Sequence, residues 1–279
     1  DDLFLHLLAG RTTKEAAPAL LAAYRAASQI ISYMVSVRMD DPNMYVWPEL
    51  DAGGPIDHHA TALPGERTLF ATAREHAEDR VAGRRGAKVS PFGAADDLDR
   101  FAEATEEALA ALAALPGLEE NLEYRTVRVD FAALAALSRF HACKARAAGN
   151  LCLYYASGDR HHLDAAAADA EREVALWEAL CERTACYHDR LHFGPSGGHW
   201  RDNLPRVRYD GRRIARVREM LDERGLPARA FDMGFAWSQR YAPRTWSGMD
   251  PTSGLDPEPG YTHVSEETAY SPERGFGWL

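Results

Sequence analysis

The chain has 279 residues, enough for one large domain or two ordinary ones, and its 46% hydrophobic content excludes an intrinsically disordered protein. The formal net charge of −10 makes the phosphate backbone of a nucleic acid a poor partner. No apolar run approaches the roughly 18 residues of a membrane span, and the N-terminal segment is too short for a signal peptide. We therefore expect neither a nucleic-acid nor a membrane partner.

Helical patterns dominate the chain up to Leu226. Ser90 followed by Pro91 is a strong helix start, and Ser157-Gly158-Asp159 is a strong stop. The predicted helices cover about 13–37, 66–82, 91–115, 122–156, 163–185 and 211–224. The two helices that flank Gly158 have a short connection, so we expect them to pack as an antiparallel hairpin.

Two long irregular stretches interrupt the helices, at residues 39–65 and 187–210. Both are rich in proline, glycine and histidine. Loops of this length are unusual inside a compact domain and often carry function. The two stretches are therefore the first candidates for binding or catalytic residues.

The composition changes after Leu226, where glycine, proline, aromatic residues and short alternating runs indicate β structure. A β-sandwich needs on the order of 100 residues, about twice what remains. We predict a mainly α fold, an antiparallel helical bundle with long irregular loops over residues 1–226. An incomplete β-sandwich segment would follow over 229–279, as in an excised part of a larger protein.

The four cysteines do not form a disulfide pattern. Cys143 and Cys152 are nine residues apart on one predicted helix, roughly 13 Å, which is too far for a bridge. Cys181 and Cys186 are poorly placed within a helix, and no CxxC spacing occurs. We expect reduced, mostly buried thiols, which favours a reducing compartment such as the cytoplasm.

The long predicted helix carries two polar residues, His141 and Lys144, on an otherwise apolar face. The face follows a 3-4-3-4 spacing through Leu134, Leu137, His141, Lys144, Ala148, Leu151 and Tyr155. A lysine there either extends its charge to the surface or pairs with a buried carboxylate. Two interpretations stay open: a structural ion pair beside a core histidine, or a polar site between helices.

The first irregular stretch places Trp47, Glu49 and Asp51 close together beside prolines. An indole ring stacks on a sugar and carboxylates accept hydroxyl hydrogen bonds, so this set favours sugar binding. The alternative is an aromatic plug that packs on the helices. A glycosidase would need its two carboxylates about 5 Å or 6.5–9.5 Å apart, which sequence proximity does not give.

The second irregular stretch contains His188 and His192 at helical spacing, but without the HExxH pattern of a zinc site. His199 and Trp200 follow a Gly-Gly pair and are candidates for a loop that presents polar groups. The alternative is a helix-entry turn capped by Asp202. No phosphate-binding loop, nucleophile elbow or dinucleotide fingerprint occurs, and we predict no cofactor and no metal.

The tail resembles the opening of the galactose-binding-like, malectin-like β-sandwich of rhamnogalacturonan acetylesterases and lyases. The matching residues are Phe231-Asp232-Met233-Gly234, Gly260-Tyr261, Tyr270-Ser271 and Gly275-Phe276-Gly277-Trp278. Met233 and Phe276 are departures from that pattern. The resemblance implies a carbohydrate-binding-like module and a polysaccharide-processing context.

The helical part resembles a region of large bacterial glycoside-hydrolase-like proteins, in the manner of α-glucuronidases. The resemblance rests on NMYVWPELDAGG, HACKARAAGNLCLYYASGD and GGHWRDNLPRVRYD. In those proteins the region follows a TIM barrel that supplies the catalytic acids, which implies a missing catalytic domain as partner and an oligosaccharide or polysaccharide as ligand.

These observations predict an accessory helical region that supports a catalytic barrel and joins it to the tail module. A self-contained glycoside hydrolase or lyase, and a purely structural helical spacer, are the alternatives. For the polar site we expect Trp47, Glu49 and Asp51 to face His141 and Lys144, with His199 and Trp200 nearby. Lys144 would pair with Glu49 or Asp51.

Overall fold

The computed structural model describes residues 2–37, 52–53, 56, 64–187, 191–193 and 196–224, and within them the protein is mainly α-helical. The helices are α1 (Asp2–Arg11), α2 (Ala17–Val37), α3 (Ala73–Val81), α4 (Pro91–Ala113), α5 (Leu122–Ser157), α6 (Arg160–Arg183) and α7 (Leu204–Arg224). Between α6 and α7 lie the short strands β1 (Leu191–Phe193) and β2 (Ser196–Gly198) and a 3-10 helix (Trp200–Asn203). The predicted mainly α class is confirmed, while the predicted β module over 229–279 lies outside the described residues.

Side-chain caps explain where several helices begin. The Ser90 hydroxyl accepts a hydrogen bond from the backbone N–H of Gly93 at 3.1 Å, directly before Pro91. Thr72 and Glu75 cap α3 reciprocally, because each side chain accepts from the other residue's backbone N–H. Each cap satisfies N–H groups that have no partner within the helix.

The helical hairpin predicted around Gly158 is present. α5 ends where Gly158 adopts a left-handed backbone with φ of 75°, and its N–H donates to the carbonyl of Tyr154 at 2.7 Å. Asp159 then caps α6 by accepting from the N–H of His161. With two residues between them, the helices fold back on each other and pack along their lengths.

Gly158→Ala is expected to lower the free energy of unfolding by about 1–2 kcal/mol, because a Cβ atom is disfavoured in the left-handed conformation. Gly211→Ala in α7 is the matched control. No heavy atom lies within 4 Å of the Cβ atom that this change would add, so we expect the free energy of unfolding to rise by about 0.5–1 kcal/mol. Urea unfolding of both variants measures the difference, and two changes of the same sign would contradict it.

Buried apolar residues form three clusters along α5, which is the central helix of the bundle. The middle cluster includes Phe140, Trp177 and Trp200, and a second includes Ala148 and Ile214. Position 144 of α5 lies where these two clusters meet. A polar side chain at that position is therefore surrounded by core.

The largest differences from the sequence-based expectation concern three helices. α1 was not predicted, α3 begins at Ala73 instead of near 66, and α7 begins at Leu204 instead of Gly211. Pro205 made residues 204–210 look irregular, but as the second residue of α7 it occupies the first turn, where no intrahelical N–H bond is needed.

The cysteines agree with the prediction of free, mostly buried thiols. Cys143, Cys152 and Cys181 are buried, Cys186 is exposed, and none is in a disulfide. Burial raises the pKa of Cys143 to about 12, so its thiol stays protonated and unreactive. Among the described helices, none combines the length and apolar character needed to cross a bilayer.

Candidate functional site

The candidate site centres on a buried ion pair between α5 and α7. Lys144 Nζ lies 2.7 Å from Asp210 Oδ2, and the two residues are 1% and 0% exposed. Lys144 also lies 5.7 Å from the centre of the Phe140 ring, whose face adds weak attraction for the ammonium. Lys144 therefore pairs with a buried carboxylate and does not reach solvent.

The same pair binds the backbone of the first irregular stretch at two points. Lys144 Nζ donates to the carbonyl of Ala52 at 3.1 Å, and the N–H of Ile56 donates to Asp210 Oδ1 at 2.9 Å. Both Asp210 oxygens are thus occupied by different donors. Since Ala52 and Ile56 are themselves fully buried, the ion pair anchors this part of the loop inside the bundle.

Glu173 of α6 adds a second buried carboxyl beside the pair. It is 0% exposed, and within the described part of the chain neither oxygen accepts a hydrogen bond. Burial raises the pKa of Glu173 well above its ordinary value, the negative charge of Asp210 raises it further, and Lys144 only partly opposes this. The surroundings of Glu173 therefore favour its protonated, uncharged form.

A shared sequence signal marks all three members of this cluster. Each is a charged residue on a helix face that is otherwise mostly apolar. The face of α6 runs through Ala166, Ala170, Glu173, Trp177 and Leu180, and that of α7 through Val207, Asp210, Ile214 and Val217. Sequence reasoning found this anomaly for Lys144 and missed it for Glu173 and Asp210.

The partner predicted for Lys144 was Glu49 or Asp51, and the structure gives Asp210 in that role. Glu49, Asp51 and Trp47 lie outside the described residues, so their part in sugar binding stays a prediction. The anchored Ala52 directly follows Asp51 in the chain. The ion pair thus holds the end of the segment that carries the three candidates.

His141 lies one turn before Lys144 on α5 and is 2% exposed. Its ring packs edge-on against Phe140, with 5.1 Å between ring centres. The predicted apolar face of α5 is therefore buried around both polar residues. A sugar role for His141 stays a prediction.

His199 and Trp200 form the helix-entry turn that was the alternative to a binding loop. The Asp202 carboxylate accepts from the N–H of His199 at 2.8 Å, which caps the 3-10 helix. Trp200 is buried, and its carbonyl accepts the indole N–H of Trp177 at 2.7 Å. Trp200 thereby joins the core cluster of Phe140 and Trp177, and its indole face is not presented to solvent.

Of the two histidines considered for zinc, His192 lies in β1, where its backbone pairs with Gly197 of β2, and His188 lies outside the described residues. In the ranges that the structure describes, no group of three His, Cys, Asp or Glu side chains is placed to hold a metal ion.

Glu173→Gln is expected to remove part of the pH dependence of stability. The unfolded chain loses the Glu173 proton near pH 4.3, whereas the folded protein keeps it, so rising pH favours unfolding by up to about 1.4 kcal/mol per pH unit. This loss of stability begins above pH 4.3 and ends at the raised pKa that Glu173 has in the folded protein. Glutamine imitates the protonated carboxyl and has no proton to release.

Urea unfolding between pH 4.5 and 7.5 measures this effect. The stability of Glu173→Gln relative to the unaltered protein should rise with pH, while Glu171→Gln, an exposed change on the same helix, should follow the unaltered protein. Identical pH profiles for all three proteins would contradict a protonated Glu173.

Comparison with known proteins gives a structural similarity. No protein-family model and no curated protein matches the sequence. A solved structure, described as a GH138 enzyme targeting pectin rhamnogalacturonan II, superposes with a TM-score of 0.65 at 13% identity. The match covers 79% of this chain and 35% of that protein, so the chain spans about a third of its length. The described helices therefore have a fold that is similar to part of a glycoside hydrolase.

Proposed function

We propose that this chain is the accessory helical region of a carbohydrate-processing multidomain protein. The observation that carries the proposal is the shared fold with the GH138 enzyme, which extends over most of this chain but only 35% of the enzyme. The region would support a catalytic domain and connect it to a galactose-binding-like, malectin-like module over residues 229–279. A rhamnogalacturonan-type polysaccharide is the ligand class favoured by the resemblance of the tail and by the similarity to the GH138 enzyme.

The burial of the polar cluster favours a structural role for it over a catalytic one. A general acid or base has to reach the bond that it acts on. The three side chains of this cluster, Lys144, Glu173 and Asp210, are at most 1% exposed. The Lys144–Asp210 pair forms hydrogen bonds with the backbone of Ala52 and Ile56. Such a cluster fixes a loop and three helices relative to one another.

Turnover of rhamnogalacturonan-type oligosaccharides by this chain alone tests the proposal. We expect no product above the level of a heat-denatured control. Turnover that is lost in Glu49→Gln and kept in Glu171→Gln would instead support the alternative of a self-contained hydrolase or lyase.

Titration with the same oligosaccharides, followed by tryptophan fluorescence, separates the accessory role from a purely structural spacer. A saturable change that is lost in Trp47→Ala would support a sugar contact made by the first irregular stretch. An unchanged spectrum would favour the spacer.

A further inference from the structure

The described contact of Ala52 and Ile56 with the bundle includes hydrogen bonds to two buried charges. Lys144 and Asp210 hold the backbone of Ala52 and Ile56 by one hydrogen bond each. The third member, Glu173, has neither oxygen bonded by a donor within the described residues. A buried carboxyl without donors is stable only while it keeps its own proton.

We propose that Glu173 is a proton-operated latch. With its carboxyl protonated, the Lys144–Asp210 pair holds the chain at Ala52 and Ile56 against the bundle, and loss of that proton releases this segment. The inference is independent of the proposed function, because it concerns how the loop is held and not what the loop binds.

Charge counting gives the reason. With Glu173 protonated, the cluster contains one cation and one anion and is neutral. Without that proton it contains two carboxylates and one ammonium, a net negative charge in a site that excludes water. The second carboxylate then competes with Asp210 and with the Ala52 carbonyl for the Lys144 ammonium.

The groups that face Glu173 from the described helices do not cancel that extra charge. Asp210 from α7, Lys144 from α5 and Asp169 from α6 itself act on Glu173, and Asp169 is also acidic. Cys143 of α5 faces Glu173 as a neutral thiol. Other buried titratable side chains of α5 and α7 include the histidine His141, the arginine Arg213, and the neutral Cys152 and Tyr155.

The chain at Ala52 and Ile56 is the part that yields first. α5 and α6 are joined by an extended apolar interface, whereas Ala52 and Ile56 contribute two hydrogen bonds to the charged pair and one side chain each to the core clusters. Opening there lets water reach Glu173 and Asp210 while the helices remain packed. Release of the loop therefore relieves the charge at lower cost than unfolding of the bundle.

Amide hydrogen exchange, read by NMR on the whole chain between pH 5 and 7, tests the latch. After correction for intrinsic exchange, protection of the Ile56 amide should fall by up to about tenfold per pH unit, since a solvated Glu173 ionises near pH 4.3. Protection of the Phe140 amide in α5 should remain higher throughout. Protection of Ile56 in Glu173→Gln should be nearly independent of pH, and Glu171→Gln should behave as the unaltered protein.

Two results would overturn the proposal. One is an equal fall in Ile56 protection in the unaltered protein and in Glu173→Gln. The other is equal protection of the Ile56 and Phe140 amides at every pH, because the chain at Ile56 would then open only with the whole bundle. This second measurement needs no variant, so it decides the question even if Glu173→Gln does not fold.

Discussion

Lys144→Met is expected to destabilise the protein by about 3–5 kcal/mol, because it leaves the Asp210 carboxylate buried without a counter-ion. Methionine matches the length of lysine, so the loss reports charge more than volume. Thermal or urea unfolding at pH 7 measures this loss.

Two further variants separate the buried pair from ordinary charge removal. Lys88→Met removes a partly exposed lysine that lies 3.3 Å from Glu75, and we expect a change of about 0–1 kcal/mol. Lys144→Met combined with Asp210→Asn leaves a neutral site in which the amide oxygen still accepts from Ile56. That double variant should be more stable than Lys144→Met alone, and equal or lower stability would rule out an unpaired Asp210 charge as the cause.

Trp177→Ala is the second change with a large expected effect, about 3–5 kcal/mol. Trp177 is fully buried, packs against Phe140 with 4.7 Å between ring centres, and donates its indole N–H to the Trp200 carbonyl. Truncation creates a cavity in the middle core cluster and detaches the turn that leads into α7. Urea unfolding gives the free energy, and near-ultraviolet circular dichroism reports the loss of fixed aromatic packing.

Trp177→Phe separates packing from hydrogen bonding. It keeps most of the apolar contact but leaves the Trp200 carbonyl without its donor, for an expected loss of about 1–3 kcal/mol. Leu122→Ala is the surface control, because Leu122 is 77% exposed, and it should change stability by less than about 0.5 kcal/mol. A Trp177→Ala variant as stable as this control would mean that the indole is not part of the core.

Local signals predicted the helices well wherever a single residue type decides the backbone. Ser90 with Pro91 marked the start of α4, and Gly158 marked the turn between α5 and α6, because capping and left-handed backbone depend on residues within one turn. The buried face around His141 and Lys144 followed from 3.6-residue periodicity. These parts of the fold needed no knowledge of distant contacts.

The partners of Lys144 could not be predicted in the same way. Asp210 is 66 residues away, and the late predicted start of α7 left it in an apparently irregular stretch. Glu173 was inside a predicted helix, but periodicity gives the face of a residue and not the helix that will cover it. The cluster is a tertiary property of three helices, which explains why proximity in sequence pointed to Glu49 and Asp51.

The length of α5 sets a distance between two ends of the described helical bundle. Arg11, the last residue of α1, contacts Asn121 and Glu123 where α5 begins. The last turns of α7 contact α6 through Asp222 and Arg160, next to the point where α5 ends. At 1.5 Å per residue, 36 residues hold these two places about 50 Å apart. This uninterrupted helix therefore fixes both the distance and the relative rotation of the two places. Each inserted residue would lengthen the span by about 1.5 Å and rotate one end by about 100° relative to the other.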